Sequence, residues 1–147
     1  MSSRIVLLGL LLLISTSLFA QDREYFIASP ERNLPFSSGV LVGDTLYIAG
    51  HLGLDPQTGR PPSDAAEEAR LVMDAIKKVV ENFGMTMDDI VMIEVHCTDL
   101  DLYGTFNKVY RTYFEGEFPA RAFLGSAMLL RDARFEVLGI AVKNKLP

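Results

Sequence analysis

The chain has 147 residues, 49% hydrophobic and 22% charged, which suits one domain with a real core and excludes a disordered tail. Its formal net charge of −5 counts against a nucleic-acid partner, because a phosphate backbone is held by a basic patch or stripe. The single cysteine, Cys97, excludes an intrachain disulfide, and with only two separated histidines it supplies no ligand set for a structural zinc.

Residues 1–20 read as a secretory signal peptide. Arg4 is a short basic region, Ile5 to Ile14 is an apolar run interrupted only by Gly9, and Ser15 to Ala20 is a more polar approach to a cut after Ala20. Leu18, three residues before that cut, is larger than the preferred small residue. An uncleaved anchor is the alternative, but the run is short for a span of ~20 residues. No cysteine lies near the cut to carry a lipid. The protein is therefore expected to be exported, periplasmic or secreted, with no stable membrane anchoring after cleavage. Residues 21–147 then form a single domain, in which Cys97 would have no intramolecular partner in an oxidising compartment.

Arg23 to Ala28 is a short strand candidate, broken by Ser29-Pro30-Glu31. Pro35-Phe36-Ser37-Ser38-Gly39 leads into a hairpin, Val40 to Val42 and Thr45 to Ala49, joined by Gly43-Asp44 with positive φ at its first turn residue. Asp55 to Gly59 is a polar turn. Asp64 with Glu67 makes a capping-box-like start to a helix. Val72, Ile76, Val79 and Phe83 form its apolar stripe, and Glu67, Glu68, Arg70, Asp74, Lys77, Lys78 and Glu81 read as its solvated face. Gly84 stops it.

Ile90 to Cys97 is a strand with apolar residues on both faces. Glu94 and His96 share one face, as a local ion pair or a subunit contact, and Cys97 points the other way as a small buried group. Asp99 caps a helix over Leu102 to Phe114, whose stripe is Leu102, Phe106, Val109 and Tyr113; Asn107 lies off it, one turn from Tyr103 and Tyr110. Two strands close the chain, Ala122–Leu130 and Arg134–Lys143, with a polar turn between them.

Arg121 stands where a loop enters the first of these strands, placed to offer a planar fork to a carboxylate. Glu136 lies in the second, on the face of Leu138, Ile140 and Val142. A carboxylate among aliphatic neighbours is costly unless paired or used. A structural Arg–Glu ion pair, or an edge strand kept soluble, accounts for both residues as well as a site does.

The order β-β-β-α-β-α-β-β gives an α+β fold in which two helices cover one face of a six-stranded sheet. With apolar residues on both sheet faces and no further helices, self-association is the economical cover.

The run Pro119-Ala120-Arg121, a strand, a turn and Arg134-Phe135-Glu136-Val137-Leu138-Gly139-Ile140-Ala141-Val142 resembles the C-terminal signature of the Rid family. These are the reactive intermediate deaminases, also called YjgF and often labelled L-PSP endoribonucleases. The Pro35-Phe36-Ser37 loop, Ala49-Gly50, Asp55 to Gly59 and Phe106 to Tyr110 extend the likeness over nearly the whole Rid-like domain. The resemblance implies a chorismate-mutase-like mixed sheet and a homotrimer with a central barrel and clefts between subunits. It also implies hydrolysis of 2-imino and 2-enamino acids to 2-keto acids and ammonia, a substrate with a carboxylate, and no metal or organic cofactor. Arg121 and Glu136 match the family's catalytic positions: the first would clamp the carboxylate, the second would activate water. Gly50 and Asn107 match substrate-binding positions. Phe36, Ala49 and Phe123 stand where the family commonly has Tyr, Ser and Cys, so three polar handles are gone and the pocket is more apolar. A non-catalytic, carboxylate-binding trimer of the same fold is the second reading. The nuclease of the family label is the third, against which the acidic charge counts.

Overall fold

Local chemistry places the elements in the computed structural model, which describes residues 22–144. The stretch read as a signal peptide lies outside the described residues, among which no helix is long and apolar enough to cross a membrane. Strand β1 (Arg23–Phe26) pairs antiparallel with β2 (Gly39–Val42), which turns back into β3 (Thr45–Leu52). Gly43 takes a φ of 59° at that turn, a left-handed value that a side chain resists. Helix α1 (Ala65–Asn82) starts at Asp64, whose side chain accepts from the Ala66 N–H at 3.0 Å. Glu67 turns to Arg70 at 2.7 Å. Gly84, at φ 68°, follows the helix end.

Strand β4 is Ile90–Cys97 and helix α2 is Tyr103–Tyr110. The single helix expected over Leu102 to Phe114 is shorter, with 3-10 turns at Leu100–Leu102 and Arg111–Tyr113. Asp99 caps the first of these turns, accepting from the Asp101 N–H at 3.0 Å. Strands β5 (Ala120–Gly125) and β6 (Phe135–Val142) complete the set.

The sheet order is β1-β2-β3-β6-β4-β5, antiparallel except for the parallel pair β4–β5. The mixed six-stranded sheet with two helices is thus the expected one. Val72 and Ile76 of α1 and Phe106 of α2 pack with Ile93 and Val95 of β4 and Phe135 and Val137 of β6. Cys97 is buried on this same face, its thiol donating to the Asp99 carbonyl at 3.0 Å; burial pushes its pKa up, so it packs as a small inert group. The opposite face leaves Tyr47, Leu124 and Val142 exposed.

The strand expected over Ala122–Leu130 starts earlier, at Ala120, and stops at Gly125. As an edge strand it lasts only as long as β4, its one neighbour, which ends at Cys97. Beyond it the chain turns at Leu130–Asp132, with Arg131 and Asp132 both at positive φ, 61° and 60°.

Glu68 corrects the reading of α1's charges as a solvated face. It is fully buried. Oε1 accepts from the backbone N–H of Arg134 (2.6 Å) and Phe135 (3.0 Å), and Oε2 accepts from Arg134 Nε at 2.5 Å. The rest of the Arg134 guanidinium donates to the carbonyls of Ser63 (2.9 Å) and Pro62. Glu68 lies one turn before Val72, on the apolar stripe, and is tolerated there because its carboxylate is paired on both oxygens. Glu68→Ala leaves the Arg134 guanidinium and two backbone donors without their partner. Urea unfolding should show a loss of about 3–5 kcal/mol, against no more than ~0.5 kcal/mol for Glu81→Ala in the exposed Lys77–Glu81 pair.

Candidate active site

Two cavities hold the residues singled out in the sequence, Phe123 excepted. The first, about 480 Å³, has Glu136 and the end of β3 as its floor. The β3–β6 register shifts between Ile48 and His51, and this irregularity brings Ala49 and Gly50 up to the carboxylate. A Cβ on Gly50 would overlap Glu136 Oε1, so the carboxylate lies where any larger residue would put its side chain. Phe36, half-exposed, lines the same cavity from the loop after β1, which is tied down by Ala49 N–H donating to the Ser38 carbonyl at 3.1 Å. Arg32 and Arg131 also line it.

His51 belongs to this cavity and is a residue that the sequence reading missed, although it directly follows Gly50. Its Nδ1 lies 2.7 Å from the Ala49 carbonyl, which can only accept, so Nδ1 carries the proton and Nε2 is left as an acceptor. Burial lowers its pKa, outweighing the Ala49 carbonyl and the Glu136 charge, which raise it.

The second cavity, about 290 Å³, is built around Arg121, with Asn107 and Tyr103 on α2 and Pro119 before β5. The guanidinium carbon lies 4.6 Å from the Tyr110 ring centroid, 5.6 Å from Tyr103 and 5.8 Å from Phe123. Nη2 donates to the Tyr103 hydroxyl at 3.3 Å. Asn107 hydrogen-bonds the same hydroxyl and, with the Arg121 charge, lowers the Tyr103 pKa. Tyr110 is pushed the other way, to about 12, by burial. Phe123 contributes a ring rather than a cavity wall, packed against Tyr103 and Phe106.

Arg121 and Glu136 do not meet within one chain. Arg121 pairs in register with Ile93, and Phe123 with Val95, on the helix-covered face. Glu136 pairs with His96 on the open face, beside the Glu94–His96 pair at 3.6 Å. A structural Arg121–Glu136 ion pair within the chain is thereby excluded. Among the described residues Arg121 has aromatic and hydroxyl partners and no carboxylate, so its fork is free to bind one. No group of three or more His, Cys, Asp or Glu side chains that could hold a metal ion occurs among the described residues.

Residues 26–143 match the family model for endoribonuclease L-PSP. The chain is 37% identical over 111 residues to the 2-iminobutanoate/2-iminopropanoate deaminase of Mus musculus, covering 75% of this chain and 82% of that protein. Among solved structures it resembles E. coli TdcF with bound serine (TM-score 0.72, 32% identity, 76% of this chain and 90% of that one). It resembles the E. coli YjgF gene product comparably (TM-score 0.71, 34% identity, 75% and 89%).

His51 also gives a stability signature. Its folded pKa lies below the ordinary 6.5, so below about pH 6.5 the unfolded chain binds the proton more readily than the folded one. Stability therefore rises with pH through this window and is lost as pH falls. Melting temperatures measured between pH 5 and pH 7 should fall on acidification, with a shallower slope in His51→Gln; equal slopes would mean that the imidazole is as easily protonated folded as unfolded.

Proposed function

The chain belongs to the endoribonuclease L-PSP family, the Rid/YjgF proteins, and on that premise we propose that it is a hydrolase that deaminates 2-imino and 2-enamino acids to 2-keto acids and ammonia. The observation that carries the reading is the free Arg121 fork in one cavity and the Glu136 carboxylate over Gly50 in the other. The name of the mouse relative supports the reaction, and serine bound to TdcF supports a small ligand with a carboxylate.

The active unit we propose is a homotrimer with a central barrel. Two observations favour more than one copy: the half-sites lie on opposite faces of the sheet, and the helix-free face exposes apolar side chains. In a cleft between subunits, Arg121 of one copy clamps the carboxylate and Glu136 of another holds water against the C=N carbon. Asn107 and Tyr103 steady the clamp; Gly50 gives the substrate room, and Phe36 and Ala49 line the other side.

A 2-enamino acid first becomes the imine by moving one N–H proton to its β-carbon; as water oxygen then bonds to the C=N carbon, Glu136 takes a water proton and returns it to nitrogen. The second proton moves from the new hydroxyl to nitrogen, the C–N bond breaks, and the C=O bond forms. Water oxygen ends in the keto acid and both its hydrogens leave in ammonia. No step calls on a redox partner. We further propose that this occurs after export, on the signal-peptide pattern of Arg4, Ile5 to Ile14 and Ala20, without lasting membrane anchoring.

Ammonia release from imines generated in situ by an amino-acid oxidase tests the reaction. Wild type should accelerate it, Glu136→Ala should lose roughly 10²–10⁴-fold, and Arg121→Lys should lose most of the rate because an ammonium lacks the planar fork. No acceleration with any amino acid would favour a trimer that binds small carboxylates without turning them over. The shared cleft has its own test: Arg121→Lys and Glu136→Ala proteins, inactive alone, should regain activity when unfolded together and refolded. Failure to regain any would overturn the shared cleft.

A further inference from the structure

The Glu136 cavity carries two cationic groups that the proposed reaction does not use. Arg32 and Arg131 line it with Glu136, and His51 is held neutral by burial, so the lining carries a net positive charge in a protein whose formal charge is −5. Their acidic neighbours in sequence, Glu31 and Asp132, are not part of that lining. Among the described residues the Arg32 guanidinium has no hydrogen-bond or ion-pair partner. It sits at the end of the 3-10 turn Pro30–Arg32, which Asn33 closes at φ 46°.

Arg131 is placed at some cost. Its backbone is left-handed, φ 61°, in a residue with a long side chain, and Asp132 beside it is left-handed too. Arg131 Nη1 donates to the Gly59 carbonyl at 3.3 Å, and among the described residues the other guanidinium donors have no partner. The remaining walls include Leu34, Phe36 and Leu52, which suit a hydrocarbon stem. A volume of about 480 Å³ lies in the range of sites that enclose whole small ligands, ~300–1,000 Å³.

We propose that Arg32 and Arg131 form an anion subsite that selects substrates with a second acidic group, the imines of acidic amino acids. This rests on the proposed reaction for the first carboxylate, which Arg121 holds. The second carboxylate, at the far end of the side chain, is bound by Arg32 and Arg131 across the apolar wall from Glu136. Two guanidiniums supply planar donor pairs for it, and the apolar lining weakens competition from water.

Equilibrium binding of the stable keto-acid products tests this without turnover. The probes are 2-oxoglutarate, with two carboxylates, and 2-oxobutanoate, with one. Calorimetry on the purified wild type should show 2-oxoglutarate bound about tenfold or more tightly, with the preference narrowing as salt is raised. In Arg32→Gln the ratio should shrink, and in Arg32→Gln/Arg131→Gln it should approach one. Arg32→Lys, which keeps the charge on an exposed and unpartnered position, should retain part of it. Equal affinities in wild type, or an unchanged ratio in the double variant, would overturn the subsite. Loss of both ligands together in the double variant would overturn it too, by making these arginines the first carboxylate's clamp. Retained preference without ammonia release would count against hydrolysis and for the subsite.

Discussion

The buried Glu68 carboxylate is the constraint on which the rest of the structure depends. It comes from the first turn of α1 and accepts the backbone N–H of Arg134, just before β6, and of Phe135, its first residue. Glu136 is next in the chain. Strand residues alternate faces, so fixing Phe135 against the helices fixes Glu136 on the open face. A slip of one residue would bury the carboxylate and expose Phe135. The same Glu68–Arg134 pair holds the Pro62 and Ser63 carbonyls, and so anchors the loop between β3 and α1. One buried charge thus links the helix layer, the central strand and a wall of the sheet.

Each half of the candidate site is shaped by what surrounds it. Arg121 is a cation held among aromatic rings, which keep it in place without neutralising it. An intramolecular carboxylate in that position would have filled the fork. Glu136 is the reverse case, a carboxylate laid over a glycine with a neutral imidazole nearby. The sheet separates the two, so neither is quenched by the other in the free chain, and charge complementarity is left for a ligand to satisfy.

Much of this was legible in the sequence because the signals were local and periodic. Gly43 and Gly84 marked real left-handed turns, and the alternation through Glu136, Leu138 and Ile140 placed them on one face as observed. The likeness in Pro119 to Arg121 and Arg134 to Val142 identified the family that the chain matches. What escaped depends on partners distant in sequence. Glu68 was grouped with its charged neighbours, although its spacing of one turn from Val72 was the available clue. The end of β5 is set by where β4 ends, and an apolar run such as Met128 to Leu130 reads as strand until that neighbour is known. That Arg121 and Glu136 face opposite ways follows from register across three strands. Arg32 and Arg131 sit in loops, where no period marks a functional side chain.

The sheet order has a consequence for how the chain is made. The last strand in sequence, β6, lies between β3 and β4, which pair with it and not with each other. A growing chain that has reached residue 134 holds two separate fragments, β1–β2–β3 and β4–β5, with no strand to join them. Closing the sheet waits until β6 has been made, and the long-range pairing it requires is slow. A chain cut off before β6 would therefore be an open, adhesive intermediate with unpaired edges rather than a slightly shortened protein.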